Sequence, residues 1–299
     1  MSATTNPLGV HARTLSRDWT REGAELAVRR TLNAGFDFLE IPAPVVGELD
    51  AVATRRLLEF NDLDATVSLA LTPEQDINST DEASSRRGEE ALISAVRFAA
   101  AIGATYVGGV TFSQLGRYRS LPTAPARRNA LAVLGRVARL AAEDGVTVGV
   151  EYVNRYESNL LNTAEQTVAF LDELDEPNAV LHLDTFHANS EDPSVAAAVE
   201  TAGHRLAYIH ASESHRGALG SGSLDWNGFF EALQRIGYRG PITFESFSPT
   251  VVSPEMTVEV GLWRAPWTSA DAVATDARTF LSLHLAALRG LATTSIGTP

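Results

Sequence analysis

Hydrophobic positions along this chain alternate between two rhythms. Short β-rich runs predict strands over 8–11, 36–41, 66–70, 105–107, 146–151, 179–184, 206–210 and 242–245. Between them, apolar residues recur three and four apart. In 128–144, for example, Leu131, Leu134, Val137, Ala138 and Ala141 trace one face of a helix. A glycine marks each of five changeovers from helical to strand spacing: Gly35, Gly103, Gly145, Gly203 and Gly237. Glycine there suits the left-handed residue just past a helix end.

Eight strands with helices between them predict an α/β fold, a closed (β/α)8 barrel rather than an open doubly wound sheet. No glycine-rich phosphate loop follows the first strand, where a dinucleotide fold would carry one. Past the last strand lies an irregular stretch, 246–267, containing Trp263 and Trp267. A helix is predicted after it over 269–291, with Leu281, Leu285 and Leu288 on one stripe. No linker splits the chain, so one domain is expected over 1–299. Its core covers about 7–248, the irregular segment and C-terminal helix about 249–291, and a fraying tail 292–299. The stretch 262–267 is a candidate pocket lid, subunit contact, or packing strip for the last helix.

Composition narrows the function classes. A 299-residue chain that is 44% hydrophobic can bury a large core. A net charge of -13 argues against a nucleic-acid partner. With no cysteine, disulfides, thiolate metal sites and cysteine nucleophiles are excluded. Residues 1–10 lack an apolar signal core, and no apolar run approaches the ~20 residues of a membrane span. A soluble, cytoplasmic protein without a membrane partner is expected.

Four consecutive predicted strands end on residues that can bind a metal: Glu151, Asp184, His210 and Glu245. In a parallel barrel these ends share the face that carries the active site. One acidic residue at a strand end is ordinarily a helix cap or loop hydrogen bonder. Four in successive units point to a shared divalent cation. One nitrogen and three carboxylates suit Mn²⁺, Co²⁺ or Mg²⁺ better than a closed structural zinc.

From this point the sequence resembles a known family. The matching residues are Glu151-Tyr152-Val153-Asn154-Arg155-Tyr156-Glu157, then Leu183-Asp184-Thr185-Phe186-His187, then His210 with Glu213, Arg216 and Gly217, then Leu224-Asp225-Trp226 and Glu245. They are similar to the ketose 3-epimerases, the D-tagatose and D-allulose 3-epimerases of the xylose-isomerase-like TIM barrel superfamily. The resemblance implies epimerisation of a free ketose at C3 with one divalent ion, Mn²⁺ or Co²⁺, held by Glu151, Asp184, His210 and Glu245. It implies that Glu151 and Glu245 are also the acid/base pair, that Glu157, His187 and Arg216 bind substrate oxygens, and that the protein is a homo-oligomer, a dimer or tetramer. The residue types make chemical sense. The C3 proton lies beside the C2 carbonyl and is weakly acidic, so its removal needs a cation that stabilises the enediolate. Inversion needs a base on each face of that planar intermediate.

Other readings stay open at this level. His187 could cap a helix from the loop after strand six, Glu157 could be a solvated charge, and Arg216 could simply pair with Glu213. His182 reads as a core histidine, His11 as a pocket-lining group, and His204, His215 and His284 as surface groups. The same metal set would serve an aldose–ketose isomerase, and a sugar-binding barrel without turnover is a further alternative. An endonuclease-IV-like enzyme is disfavoured by only seven histidines and the acidic charge. No basic cluster beyond Arg117, Arg155 and Arg216 suggests a phosphate site. The run Ser212-Glu213-Ser214-His215-Arg216 departs from the family's Gly-Glu-x-Asn-Arg, and the available aromatics are Trp19, Phe112, Tyr118 and Phe247. Substrate length and stereochemistry are therefore left open.

Overall fold

Eight strands close on themselves: β1 Leu8–His11, β2 Phe38–Pro42, β3 Asp64–Leu71, β4 Tyr106–Gln114, β5 Thr147–Glu151, β6 Ala179–Asp184, β7 Leu206–Ala211 and β8 Ile242–Phe244. All neighbours are parallel, and β8 pairs with β1 to complete the barrel. The computed structural model describes residues 6–43 and 48–294. Among them, no helix is long and apolar enough to cross a membrane.

The five marker glycines all have positive φ, from 50° at Gly203 to 86° at Gly103. Each reverses the chain so that the helix lies back on the barrel. The helix Ala124–Glu143 buries Leu134, Val137, Ala138 and Ala141, as its spacing predicts, while Leu131 of the same stripe is only half-buried and Ala130 is buried in addition. Strand β4 runs further than its apolar triplet suggests, to Gln114. Gly109, at φ 101°, lets the chain pass Leu69, whose carbonyl oxygen would lie 2.2 Å from any Cβ at that position.

Inward-facing residues fill the barrel in layers. The floor is aromatic: Phe38, Tyr106 and Tyr208 pack together, with Tyr106 and Tyr208 stacked at 4.2 Å. Strand glycines make room for these rings. A Cβ on Gly149 would sit 1.9 Å from Tyr106 Oη. Above the floor the layers turn polar, because residue i+2 of each strand faces the same way as residue i. Val180 lies beneath His182 and Asp184, Tyr208 beneath His210, and Phe38 beneath Glu40.

After β8 a short helix, Pro254–Glu259, leads into the C-terminal helix Ala270–Thr294. That helix continues past the expected end at 291, since no glycine or proline interrupts 292–294. Residues 295–299 of the expected tail lie outside the described residues. The helix buries Val273, Ala274, Ala277 and Leu281. His284 stacks on Phe230 at 4.9 Å and packs on Phe280, so it is half-buried rather than a surface group.

Candidate active site

Glu151 ends β5, Asp184 ends β6, His210 lies on β7, and Glu245 follows β8 directly. The barrel brings all four together at the C-terminal mouth. Asp184 pairs in register with His210, whereas Glu151 pairs with His182, one layer down. His210 is the hub. Its Nδ1 lies 3.1 Å from Glu151 Oε1 and 3.7 Å from Glu245 Oε1. Donor atoms of Asp184, His210 and Glu245 lie within 4.8 Å of one another. All four residues are buried, at 6% exposure or less.

Arg216 spans the carboxylates from the loop after β7. Its Nη1 donates to Asp184 Oδ2 at 2.8 Å, to Ser212 Oγ at 2.8 Å, and to Glu245 Oε2. The guanidinium sits 4.4 Å over the Phe186 ring. Arg216 therefore does not spend its charge on Glu213. That carboxylate instead accepts from Ser214 N, Gly220 N and Trp226 Nε1 and braces the loop. Arg216 has φ 58°, a left-handed conformation unusual outside glycine.

His187 is not in a loop. Asp184 accepts from Phe186 N at 2.7 Å and so caps a helix, Thr185–Glu191, that carries His187. Its Nδ1 accepts from the backbone N–H of Asn154 at 3.2 Å, which leaves the proton on Nε2. Nε2 points toward Glu157 at 3.8 Å and Asp184 at 3.9 Å. It also meets Arg216 Nη2 at 3.3 Å, a contact between two donors.

The cluster's electrostatics are uneven. Burial pushes the Glu245 carboxyl up, and repulsion from Asp184 and Glu151 adds to it; the opposing His210 and Arg216 leave it at about 8. Burial also pushes Glu151 up, but the imidazoles of His182 and His210 hold it below the ordinary range. Burial opposes ionisation of Asp184 too, yet Arg216 above all, then His187 and His210, keep it ionised. Burial would strip the proton from His210, but Glu40, Glu245 and Glu151 hold it well above the usual imidazole value. An excess of buried carboxylates over cations, with imidazoles among them, fits a divalent ion. Asp184, His210 and Glu245 form one group of donors close enough to hold such an ion, Glu151 groups with His210 and His182, and the cluster is compatible with one ion.

The mouth above is walled by Leu69, Val110, Val153, Phe186 and Phe247, with Met256, Val260 and Leu262 on the side after β8. Glu157 and His11 also line it. Of the four aromatics expected near substrate, Phe247 alone faces it. Trp19 and Phe112 are in the core, and Tyr118 donates to Asp76 Oδ2 at 2.8 Å. In the stretch 262–267, Leu262 lines the pocket, Trp263 is 77% exposed, and Trp267 Nε1 donates to Ser246 Oγ at 2.7 Å.

Sequence reasoning missed Glu40. This residue of β2 is 1% exposed and lies 2.9 Å from His210 Nε2 through both carboxylate oxygens. Its sequence signal is weaker than at the four positions found, because Glu40 sits inside the predicted run 36–41, with Ile41 after it, rather than at its end.

A parallel barrel carrying buried acidic and imidazole groups at its C-terminal mouth is a setting for metal-assisted catalysis. Comparison with known proteins narrows it. The sequence model of the Xylose isomerase-like TIM barrel family matches residues 28–269. The L-ribulose 3-epimerase of Methylomonas sp. (strain DH-1) is 42% identical over 91% of this chain and 96% of its own. The ketose 3-epimerase of Arthrobacter globiformis is 39% identical over 94% of this chain and 98% of its own. A crystal structure of the D-allulose 3-epimerase from Methylomonas sp. in complex with D-allulose superposes with TM-score 0.91 at 40% identity, covering 94% and 98% of the two chains. A structure of L-ribulose 3-epimerase gives 0.95 at 34% identity, covering 99% and 100%. The chain belongs to the ketose 3-epimerases of the xylose isomerase-like TIM barrel family.

Proposed function

We propose that this enzyme inverts free ketoses at C3 by a two-glutamate proton exchange, with Mn²⁺ or Co²⁺ as the resident ion. The observation that carries the mechanism is the placement of Glu151 and Glu245. They come from different sides of the barrel, β5 and β8, yet both lie within 4 Å of His210 Nδ1 and both line the same cavity. A sugar carbon held between them meets a carboxylate on each face. Their unequal proton affinities support the division of labour, with one ready to accept a proton when the other is ready to give one. The ion would supply polarisation of the substrate carbonyl.

The chain's own residues do the rest. His187 Nε2–H and Arg216 Nη2 lie 3.3 Å apart as two donors, suited to an oxygen that gains charge as the C3 proton leaves. Glu157, 3.8 Å from His187 Nε2, is placed to accept from a substrate hydroxyl. Phe186 and Phe247 exclude water from this side. The Methylomonas and Arthrobacter relatives support a free ketose such as D-allulose or L-ribulose as substrate. A homo-oligomer, a dimer or tetramer, is part of the proposal, and the exposed indole of Trp263 suits a subunit contact.

The test is NMR of products formed in deuterated water from a ketose panel. Deuterium at C3 of a ketose product is expected. Aldose labelled at C2 would instead mean an aldose–ketose isomerase. Omission of added Mn²⁺ or Co²⁺ after chelation should abolish labelling.

A further inference from the structure

Glu40 is 1% exposed and is not among the described residues that line the cavity. It is a buried carboxylate in the layer just outside the metal cluster, and its partners run in a defined sequence. A carboxylate can only accept, so the hydrogens in its bonds come from the neighbours. Tyr208 Oη donates to Glu40 Oε2 at 2.6 Å. With its own hydrogen committed, that phenol oxygen accepts from Thr66 Oγ1 at 2.8 Å and Thr243 Oγ1 at 2.6 Å. His210 Nε2 donates to Glu40 at 2.9 Å. Strands β2, β3, β7 and β8 each contribute one member of this chain or more.

We infer that Glu40 is a positioning residue: by holding the Nε2 hydrogen of His210, it leaves the Nδ1 lone pair as the nitrogen ligand facing Glu151, Asp184 and Glu245. Ligating histidines commonly donate their other N–H to such a partner, which fixes tautomer and ring angle and raises ligand basicity. His182 packs against His210 in a T-shaped contact, 4.1 Å between centroids at 76°, so the ring has a packing neighbour as well as its Nε2 partner. This inference rests on the metal reading above, and its test separates the two.

Wild type, Glu40→Gln and Tyr208→Phe are stripped with chelator and titrated with Mn²⁺, free ion being followed by electron paramagnetic resonance. Thermal melting of each metal-free protein is recorded alongside. The expected result is tight binding by wild type and a Kd raised about 10–100-fold in Glu40→Gln. Tyr208→Phe loosens Glu40 without removing it and should raise Kd about threefold. A metal-free melting point lowered in Glu40→Gln with Kd unchanged would mean a merely structural carboxylate and overturn the inference. Should Glu40→Gln not fold, Tyr208→Phe decides: an unchanged Kd overturns the inference and the threefold rise supports it. Wild type that binds no Mn²⁺ would end the metal reading and this inference with it.

Discussion

Replacing Glu213 by alanine should both loosen the fold and damage the site, although Glu213 touches no substrate-facing atom. Its side chain is wholly buried and accepts from Ser214 N at 2.8 Å, Gly220 N at 2.8 Å, Trp226 Nε1 at 2.9 Å and Leu224 N at 3.4 Å. Each such bond to a charged acceptor contributes about 1.5–3 kcal/mol net, but four bonds sharing one carboxylate are not additive. With water entering to satisfy part of the freed donors, a loss of roughly 3–5 kcal/mol is expected. At about 2 °C per kcal/mol for a domain this large, the melting point should fall by roughly 6–10 °C. Acid titration adds a second handle. Burial raises the Glu213 carboxyl, but the hydrogen bonds from Trp226, Ser214, Gly220 and Leu224 outweigh it and hold the group below its ordinary value. The unfolded chain then binds the proton more readily than the folded one. The stabilisation is present above the unfolded carboxylate value of about 4.3 and is lost as pH falls through the lower, folded one. Glu213→Gln should flatten that part of the stability–pH curve. Because the same brace holds the loop that carries Arg216, kcat/KM of the alanine variant should drop by about tenfold or more. A Glu213→Ala protein that melts within a degree of wild type, or keeps its acid sensitivity, would refute the bracing argument.

Further outcomes are expected. Glu151→Gln and Glu245→Gln should each cut turnover by about 10²–10⁴-fold with an unchanged near-ultraviolet dichroism spectrum, as the loss of one proton-transfer group requires; wild-type rates in either variant would exclude the two-base scheme. Arg216→Lys keeps the charge but loses the planar guanidinium whose Nη1 reaches Asp184, Ser212 and Glu245 and whose Nη2 meets His187, so kcat/KM should fall by about 100-fold in steady-state assays. Gly149→Ala would push a methyl against Tyr106 Oη and should lower stability by about 1–3 kcal/mol in urea melts, with Tyr106→Phe restoring part of the loss. No restoration would mean that the barrel floor relaxes elsewhere.

Much of the barrel was legible because its signals are local. A glycine after each of five helices predicted positive φ, and those backbones adopt it. The strand runs located Glu151, Asp184, His210 and Glu245 at one end of the sheet, since parallel strands point the same way. Glu40 was not legible as a partner, because its role depends on β7 lying across the barrel from β2, a relation no sequence spacing carries. The helical setting of His187 was hidden for a related reason. Asp184 was read only as a ligand, yet the same carboxylate also caps the next helix. The strain at Arg216 is likewise invisible in sequence: a brace at Glu213 and the reach of Nη1 to two carboxylates hold a left-handed backbone that arginine alone would avoid.

The central claim is that one cation is shared by groups from four successive strands. Crystals equilibrated with Mn²⁺ and measured on both sides of the manganese absorption edge would test it most directly. The account predicts a single anomalous peak at the barrel mouth, bonded to Glu151, Asp184, His210 Nδ1 and Glu245. No peak there, or one that leaves either glutamate out of reach, would contradict it.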